Sequence, residues 1–462
     1  MHYGVGIFLT SLQVIAKFGG TSVANYEAMC KSAGVVLQSP GVALVVLSAS
    51  AGITNALIEL AQGCSRTQRE KHLKQISDVQ YAILSQLPEN TALQTEIARL
   101  LSNIATLSDA AALATSSALV DEIVSHGEIM STLLFTDVLR EQGAPAQWFD
   151  VRDVMQTDDC FGRAEPDTAV LRTRCDQILA PLLAGGVVVT QGFIGRESRD
   201  RTTTLGRGGS DYTAALLAEA LNCQRVDIWT DVPGIYTTDP RIVPDAYPIN
   251  HITFDEAAEM ANFGAKILHP ATLLPAVRSG IPVFVGSSKE SGAGGTLVCD
   301  NDPNPPLFRA LTLRRQQTLL TLHSLKMLHA RGFLAEIFTL LSRHNISVDV
   351  ITTSEVSIAL TLDTVGSTHT NGALLSEELT AELSSLCRIE VEQNLALVAV
   401  IGNELTRAHG LGKTIFSALE PFNIRMISYG ASGHNMCLLV PGNDAENIIR
   451  ALHRDLFRKS GQ

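Results

Sequence analysis

Over its first 300 residues the chain alternates short apolar runs with longer amphipathic stretches, which predicts a sheet wrapped by helices. The short runs are continuous in Val, Ile and Leu, as is typical of strands that are buried on both faces of a mostly parallel sheet. This pattern predicts the α/β class for the region. The expected strands cover residues 12–16, 42–48, 187–191, 226–230 and 283–286.

Residues 65–115 interrupt this alternation with a long stretch that is rich in Leu, Ala, Gln and Glu and contains no glycine. Its apolar residues recur with the period of amphipathic helices. We expect a helical hairpin that covers the sheet, with a lid or an interface as the alternative.

A domain boundary is predicted at residues 300–306, which are polar and broken by prolines. Beyond it, a shift of 78 residues aligns residues 319–362 with 397–440 without a gap. Each copy has the content of a small α+β module. We therefore expect three domains, with limits at residues 1–300, 301–395 and 396–462.

Composition narrows the possible functions of this 462-residue chain. Its 35 basic residues against 47 acidic ones give 35 − 47 = −12, which argues against nucleic acids and anionic membranes as partners. No apolar run approaches the roughly 20 residues of a membrane span. The eight cysteines are scattered without metal-binding spacing, as in reduced proteins of the cytoplasm, so we expect a cytoplasmic protein and no protein-held metal cluster.

The first candidate for chemistry is Lys17, which ends an apolar strand and is followed by Gly19 and Gly20. Paired glycines let backbone N–H groups approach an oxyanion, and the lysine supplies positive charge. The segment therefore predicts a phosphate site, with a simple tight turn as the alternative. It is not a Walker loop, because it lacks the G-x-x-x-x-G-K-[ST] pattern.

A second glycine-rich stretch, residues 202–214, precedes a helical run. Ser210 or Asp211 is expected to cap that helix, and Arg207 can clamp a carboxylate through two parallel hydrogen bonds. A third stretch, residues 229–241, ends a strand in a loop that either lines a ligand crevice or is a plain surface turn. Lys266 lies in a later helical stretch and can reach a phosphate.

Glu128 is predicted near the start of an apolar helix, where it either binds a substrate ammonium group or complements the helix dipole. Small residues at 48–52 follow a strand and allow backbone groups to approach a ligand. Both segments therefore remain candidates for substrate contact.

Taken together, these motifs resemble those of aspartokinases in the amino acid kinase family. KFGGTSV, LSASAGITN, SHGE, TQGFIG, TTTLGRGGSDYTA, WTDVPGIYTTDPR and FGAKILHPA occur in that family's order over nearly the whole chain. The repeat resembles paired ACT domains and is most similar to the monofunctional, lysine-sensitive type. The implied fold is an amino acid kinase-type three-layer sandwich with a mostly parallel central sheet, followed by two small α+β ACT-type regulatory domains.

The resemblance implies transfer of the ATP γ-phosphoryl group to the side-chain carboxylate of L-aspartate, with Mg²⁺. It further implies the first step of lysine, threonine and methionine biosynthesis, with feedback inhibition by L-lysine and a homodimer or dimer of dimers through the ACT domains. Catalytic roles fall to Lys17 and Asp211, and substrate binding to Ser48, Thr54, Glu128 and Arg207. ATP contacts fall to Gly19, Gly20, Thr230, Asp231, Tyr236, Arg241 and Lys266. The implied effector region comprises Met327, Ala330, Gly332, Phe333, Leu334, Ser347, Val348, Asp349, Ser354 and Glu355.

Three alternatives stay open at this point. The enzyme could respond to threonine or methionine, or to no amino acid. The chain could be an inactive amino-acid sensor, which the joint presence of Lys17, Glu128, Arg207 and Asp211 disfavours. It could also phosphorylate glutamate, N-acetylglutamate or a nucleoside monophosphate, but Arg207 with Glu128 suits a free α-amino acid.

Overall fold

The computed structural model describes residues 14–39, 41–265, 270–327, 332–363 and 375–457. Two of the predicted site residues, Lys266 and Ala330, lie outside these ranges. The described chain divides into two compact units. The first contains residues 14–235, 248–254 and 270–302, and the second contains residues 236–247, 255–265 and the described residues from 303 onward.

The first unit is built on an eight-stranded sheet, as far as the described residues extend, in the order β3-β4-β2-β1-β7-β9-β10-β8. Its pairs are parallel except for β9 with β10, so the predicted mostly parallel α/β sheet is confirmed. The strands of the unit are β1 (Val14–Phe18), β2 (Val42–Leu47), β3 (Ala146–Phe149), β4 (Val187–Gln191), β5 (Ile194–Arg196), β6 (Thr202–Thr204), β7 (Arg225–Thr230), β8 (His251–Thr253), β9 (Val283–Ser287) and β10 (Gly295–Cys299). Strands β5 and β6 form a separate antiparallel pair.

Four consecutive residues of β1, from Ile15 to Phe18, are all buried, which shows that the sheet is covered on both faces. The expected hairpin over residues 65–115 is present as α3 and α4. No helix in the described ranges is both long and apolar enough to cross a membrane. The helices of this unit are α1 (Tyr26–Gln38), α2 (Ile53–Ala61), α3 (Arg66–Leu84), α4 (Thr91–Leu113), α5 (Ser117–Glu141), α6 (Thr168–Arg174), α7 (Ala180–Leu183), α8 (Gly209–Leu221) and α10 (Pro270–Arg278), whereas α9 (Phe254–Asn262) belongs almost entirely to the second unit.

Strand β1 lies between β2 and β7, so the chain leaves it towards one side of the sheet and later returns on the other. In open α/β sheets such a switch point opens a crevice beyond the carboxyl ends of the strands. Lys17 is the last but one residue of β1 and lies in register with Val46 and Ile228. The fold thus brings the ends of three central strands to one edge.

The second unit contains a six-stranded antiparallel sheet, within the described ranges, in the order β12-β13-β11-β14-β16-β15. Helices connect its strands in the order that the sequence repeat predicts. The elements are β11 (Phe308–His323), α11 (Phe333–Arg343), β12 (Ser347–Thr353), β13 (Ser357–Asp363), α12 (Glu377–Leu386), β14 (Arg388–Gly402), α13 (Leu411–Ala418), β15 (Met426–Tyr429), β16 (Asn435–Pro441) and α14 (Ala445–Leu456).

The two repeats share their long strands. The end of β11 pairs with β13 and with the start of β14, whereas the start of β11 pairs with the end of β14. Each half therefore has the same strand order, and each borrows a strand segment from the other repeat. Strand β14 runs across the limit expected between residues 395 and 396, and the three domain limits stay predictions.

Residues 236–247 belong to the second unit because they form hydrogen bonds and apolar contacts with residues of its sheet and helices. The Thr237 hydroxyl lies 2.9 Å from Nε2 of the buried His453, and the Leu311 N–H donates to the Thr237 carbonyl at 2.7 Å. Ile242 and Val243 are buried in the apolar core that this unit forms around β14, β16 and α14. A segment that precedes the repeats by some 60 residues is thus part of the core of the second unit.

Candidate active site

A cavity of about 490 Å³ lies in the first unit at the carboxyl ends of β1 and β2. Its volume falls in the range of ordinary small-molecule sites. All six residues expected to act in catalysis or substrate binding line this cavity, namely Lys17, Ser48, Thr54, Glu128, Arg207 and Asp211. They come from segments that are far apart in sequence, and the fold of the first unit brings them together.

Lys17 and Asp211 form an ion pair, with 2.7 Å between Nζ and Oδ1 and with side chains that are only 10% and 17% exposed. Asp211 lies in the first turn of α8, where the helix dipole also favours a negative charge. Neither Ser210 nor Asp211 caps this helix, so that expectation was wrong. The N-cap is Gly208, whose φ of +74° requires a residue without a Cβ, and no side chain accepts a capping bond.

The two glycines after β1 let three segments meet closely. The Gly19 N–H donates to the carbonyl of Trp229 at 3.1 Å. A Cβ on Gly20 would lie 2.7 Å from the Ala49 carbonyl oxygen, and the Ala51 N–H donates to the Gly20 carbonyl at 3.0 Å. The backbone after β1 is therefore packed directly against the turn after β2 and the end of β7.

Glu128 is buried, with 3% of its surface exposed, in the middle of α5. The helix already begins at its cap, Ser116, so the expectation that Glu128 complements the helix dipole was wrong. Gly127 permits this position, because a Cβ there would lie 2.8 Å from Cβ of Ala49. One oxygen of Glu128 accepts the Ala49 N–H at 3.1 Å, and the other has no hydrogen bond from the described residues.

Burial of Glu128 raises the pKa of its carboxyl to about 8, although the Ala49 N–H and the nearby Lys17 oppose the shift. The group is thus poised to bind a cation, since a positive charge beside it would offset the cost of ionisation. The cavity has cations and carboxyl groups on its walls and suits a small zwitterion.

Sequence reasoning missed Asp121, a buried residue that lines the same cavity. It lies seven residues before Glu128 and therefore on the same face of α5. That spacing was the available signal, but no motif accompanied it. Ile58, Val120, Val124, Gly162 and Phe193 also line the cavity and were not singled out as site residues from the sequence, whereas the predicted glycine-rich stretch contributes Thr204, Gly206, Gly208, Gly209 and Ser210.

The residues expected around ATP are divided between the units. Thr230 ends β7, and its carbonyl accepts the Ser288 N–H at 2.8 Å, while its hydroxyl donates to Asp231 at 3.2 Å. Tyr236 and Arg241 belong to the second unit, where the exposed Arg241 pairs with Asp239 at 2.7 Å. Gly19, Gly20, Thr230 and Asp231 are located in the first unit, at the sheet edge that carries Lys17.

The residues expected to bind an effector fall into two groups in the second unit. Gly332, at φ +89°, begins α11, and the Ser324 N–H donates to the Val356 carbonyl at 2.9 Å, which joins this region to the β12–β13 turn. Asp349 lies near the start of β12 and pairs with Arg314 at 2.9 Å. The 11 residues of α11 separate the two groups by about 16 Å along its axis. Near the first group are Met327, Gly332, Phe333, Leu334, Ser354 and Glu355, and in the second are Ser347, Val348 and Asp349.

Comparison with known proteins agrees with this arrangement. A model of the amino acid kinase family matches residues 13–287, and a model of the ACT domain matches residues 398–456. The chain is 66% identical over 444 residues to the lysine-sensitive aspartokinase 3 of Escherichia coli, covering 96% of this chain and 99% of that protein.

Two crystal structures of aspartokinase III from E. coli also match, each at 66% identity. The R-state complex with aspartate and ADP superposes with a TM-score of 0.86 and covers 96% of this chain and all of that one. The T-state complex with lysine and aspartate gives a TM-score of 0.85 and covers 97% of this chain and all of that one.

Replacing Glu128 by Gln tests the buried carboxyl. Between the ordinary pKa of 4.5 and the folded value of about 8, the unfolded chain has lost a proton that the folded chain keeps. The stability of the unliganded wild type should therefore fall with rising pH, relative to Glu128→Gln, by about 1.4 kcal/mol per pH unit. Urea unfolding between pH 5.5 and 7.5 measures this difference.

The exposed Glu70, replaced by Gln in the same way, is the matched control and should show no such slope. A difference between wild type and Glu128→Gln that stays constant over this range would contradict the raised pKa.

Proposed function

This chain belongs to the amino acid kinase family and, within it, to the aspartokinases, and we propose that it transfers the ATP γ-phosphoryl group to the side-chain carboxylate of L-aspartate, giving 4-phospho-L-aspartate. This reaction would be the first step towards lysine, threonine and methionine. The observation that carries the proposal is the single cavity that combines the Lys17–Asp211 pair with Arg207 and Glu128.

The nucleophile in this reaction needs no general base, because a carboxylate is already ionised at neutral pH. Catalysis then reduces to aligning the reactants and neutralising charge on the transferred group. Lys17 supplies that charge from the end of β1, and Asp211 holds its ammonium group in place at 2.7 Å. The sparsely hydrated surroundings strengthen the effect of Lys17 on a phosphoryl oxygen.

Aspartate would be recognised through its α-carboxylate and its α-ammonium group. Arg207 is exposed at the cavity and, in the described part of the chain, forms no ion pair, so its guanidinium can clamp the α-carboxylate. Glu128 would ionise against the α-ammonium group. Ser48 and Thr54 line the wall between them and would contact the substrate.

ATP would lie against the loops that follow β1 and β7. We assign its phosphates to the backbone at Gly19 and Gly20. The remaining ATP contacts would come from Thr230, Asp231, Tyr236, Arg241 and Lys266. The position of the two glycines directly after the β1 strand that carries Lys17 supports this assignment.

Mg²⁺ would accompany the ATP phosphates. Mg²⁺ is usually bound through one or two carboxylates together with substrate phosphates and waters. Asp211 is the carboxylate that lies beside Lys17 and would supply a protein oxygen. When bound, Mg²⁺ neutralises charge on the phosphate oxygens.

L-Lysine is the proposed feedback inhibitor, bound by the effector residues of the second unit, including Ala330. The two groups of these residues lie farther apart than one amino acid can span, which favours a site completed by a second copy of the chain. Phe338 and Phe416, at equivalent positions in the two repeats, are both 38% exposed and offer apolar surface for such pairing. We therefore propose a homodimer or dimer of dimers through the ACT domains.

We place the enzyme in the cytoplasm. All eight cysteines lie in the described ranges and each is free, as in proteins of reducing compartments.

Hydroxylamine trapping of the acyl phosphate, with ATP and Mg²⁺, tests the reaction directly. Aspartate should give product and glutamate none. Replacing Lys17 by Met should lower kcat by about 10²- to 10³-fold, as loss of one charge-stabilising donor does elsewhere. Lys31→Met, which alters an exposed lysine paired with Glu27, should leave the rate unchanged. No aspartate-dependent product would favour the sensor alternative.

The effector assignment is tested by Glu355→Lys, which reverses the charge of an exposed carboxylate. The concentration of L-lysine that halves activity should rise at least about tenfold, since an ammonium ligand would lose an ion-pair partner. The uninhibited rate should stay near that of wild type. Glu378→Lys, an exposed acid on α12, is the control. Unchanged lysine sensitivity of Glu355→Lys, or inhibition by threonine or methionine instead, would refute the assignment.

A further inference from the structure

Asp121 is a carboxylate in the active-site cavity to which the proposed reaction gives no role. It lies on α5, two helical turns before Glu128, and only 2% of its surface is exposed. An ionised carboxyl group on this helix face would repel a substrate carboxylate, so the presence of Asp121 beside Glu128 requires an explanation.

Both oxygens of Asp121 are already engaged by backbone and hydroxyl donors. Oδ2 accepts the N–H groups of Gly162 and Thr204, each at 2.8 Å, and Oδ1 accepts the Thr204 hydroxyl at 2.9 Å. Hydrogen bonds to a carboxylate from such donors are among the stronger ones in proteins. Asp121 therefore links α5 to the loop at Gly162 and to the end of β6.

The loop at Gly162 and the end of β6 are also joined to each other. The Ala164 N–H donates to the Thr204 carbonyl at 2.9 Å. A Cβ on Gly206 would approach the Gly162 carbonyl oxygen to 3.2 Å. Asp121 thus closes a compact arrangement in which the position of Thr204 is fixed from both sides, three residues before Arg207.

We propose that Asp121 is a positioning residue that holds the segment from Thr204 to Gly208 against α5, so that Arg207 meets the α-carboxylate of the amino-acid substrate. The inference rests on the proposed function, because it assumes that Arg207 binds that carboxylate. Asp121 acts through hydrogen-bond geometry and not through a direct contact with the substrate ammonium group, since donors from the chain already take three of the roughly four acceptor positions on its oxygens.

Two substitutions separate geometry from charge. In Asp121→Asn, the amide oxygen can accept both N–H groups, and the amide nitrogen can donate to the Thr204 hydroxyl, which accepts as well as donates. This variant keeps all three hydrogen bonds and loses the charge. Asp121→Ala loses both, and Thr204→Val removes only the hydroxyl contact.

Steady-state kinetics with aspartate and ATP varied separately provide the readout. Asp121→Ala should raise KM for aspartate by about 10- to 100-fold, because a clamp displaced by about 1 Å loses much of its effect, while KM for ATP stays unchanged. Asp121→Asn should stay within about threefold of wild type, and Thr204→Val should fall between them. Thr136→Val, which removes another buried hydroxyl from α5, is the control and should match wild type.

Any of the following results would overturn the inference. Asn as damaging as Ala would show that the charge itself matters, and a normal KM for aspartate in Ala would show that no positioning occurs. If Asp121→Ala fails to fold, the ranking of Asn and Thr204→Val decides the question, and an Asn variant with a KM raised as in Arg207→Ala refutes it. A wild type without aspartate-dependent product would instead refute the proposed function, and this inference with it.

Discussion

The constraint on which the site depends is a buried carboxyl group, that of Glu128, which forms no ion pair among the described residues. Glu128 keeps its proton at neutral pH because α5 packs it against the turn after β2, where only one backbone N–H reaches it. Gly127 makes that close packing possible. The cavity is therefore prepared for a positively charged group at one wall, while Lys17 and Arg207 prepare it for negative groups elsewhere.

The parallel sheet supplies the rigidity that such an arrangement needs. Strand β1 is covered on both faces, and its backbone is fixed between β2 and β7, so Lys17 has little freedom at its carboxyl end. The second unit takes part of its core from a segment that is far away in sequence. Residues 236–247 contribute to the core of the second unit, and the proposed ATP contacts Tyr236 and Arg241 lie in that segment.

Much of this architecture could be predicted from local sequence patterns. The central strands were found because runs of Val, Ile and Leu mark strands buried on both faces. The glycine motif led to Lys17 because glycines cluster where backbone approaches a ligand, whereas the family resemblance, and not the local pattern, indicated a catalytic role for Asp211. Local sequence patterns did not predict the features that depend on contacts between residues far apart in the chain. The sharing of β11 and β14 between repeats is set by long-range pairing, and Asp121 has partners some 40 and 83 residues away.

Calorimetric titration with L-aspartate at pH 7, repeated in buffers of different ionisation enthalpy, tests the central claim most directly. If the substrate ammonium group binds beside Glu128, the carboxyl must ionise, and binding should release about one proton. The Glu128→Gln variant should release none. Binding of aspartate to the wild type without proton release would contradict the account, because the buried carboxyl would then not be the group that receives the ammonium charge.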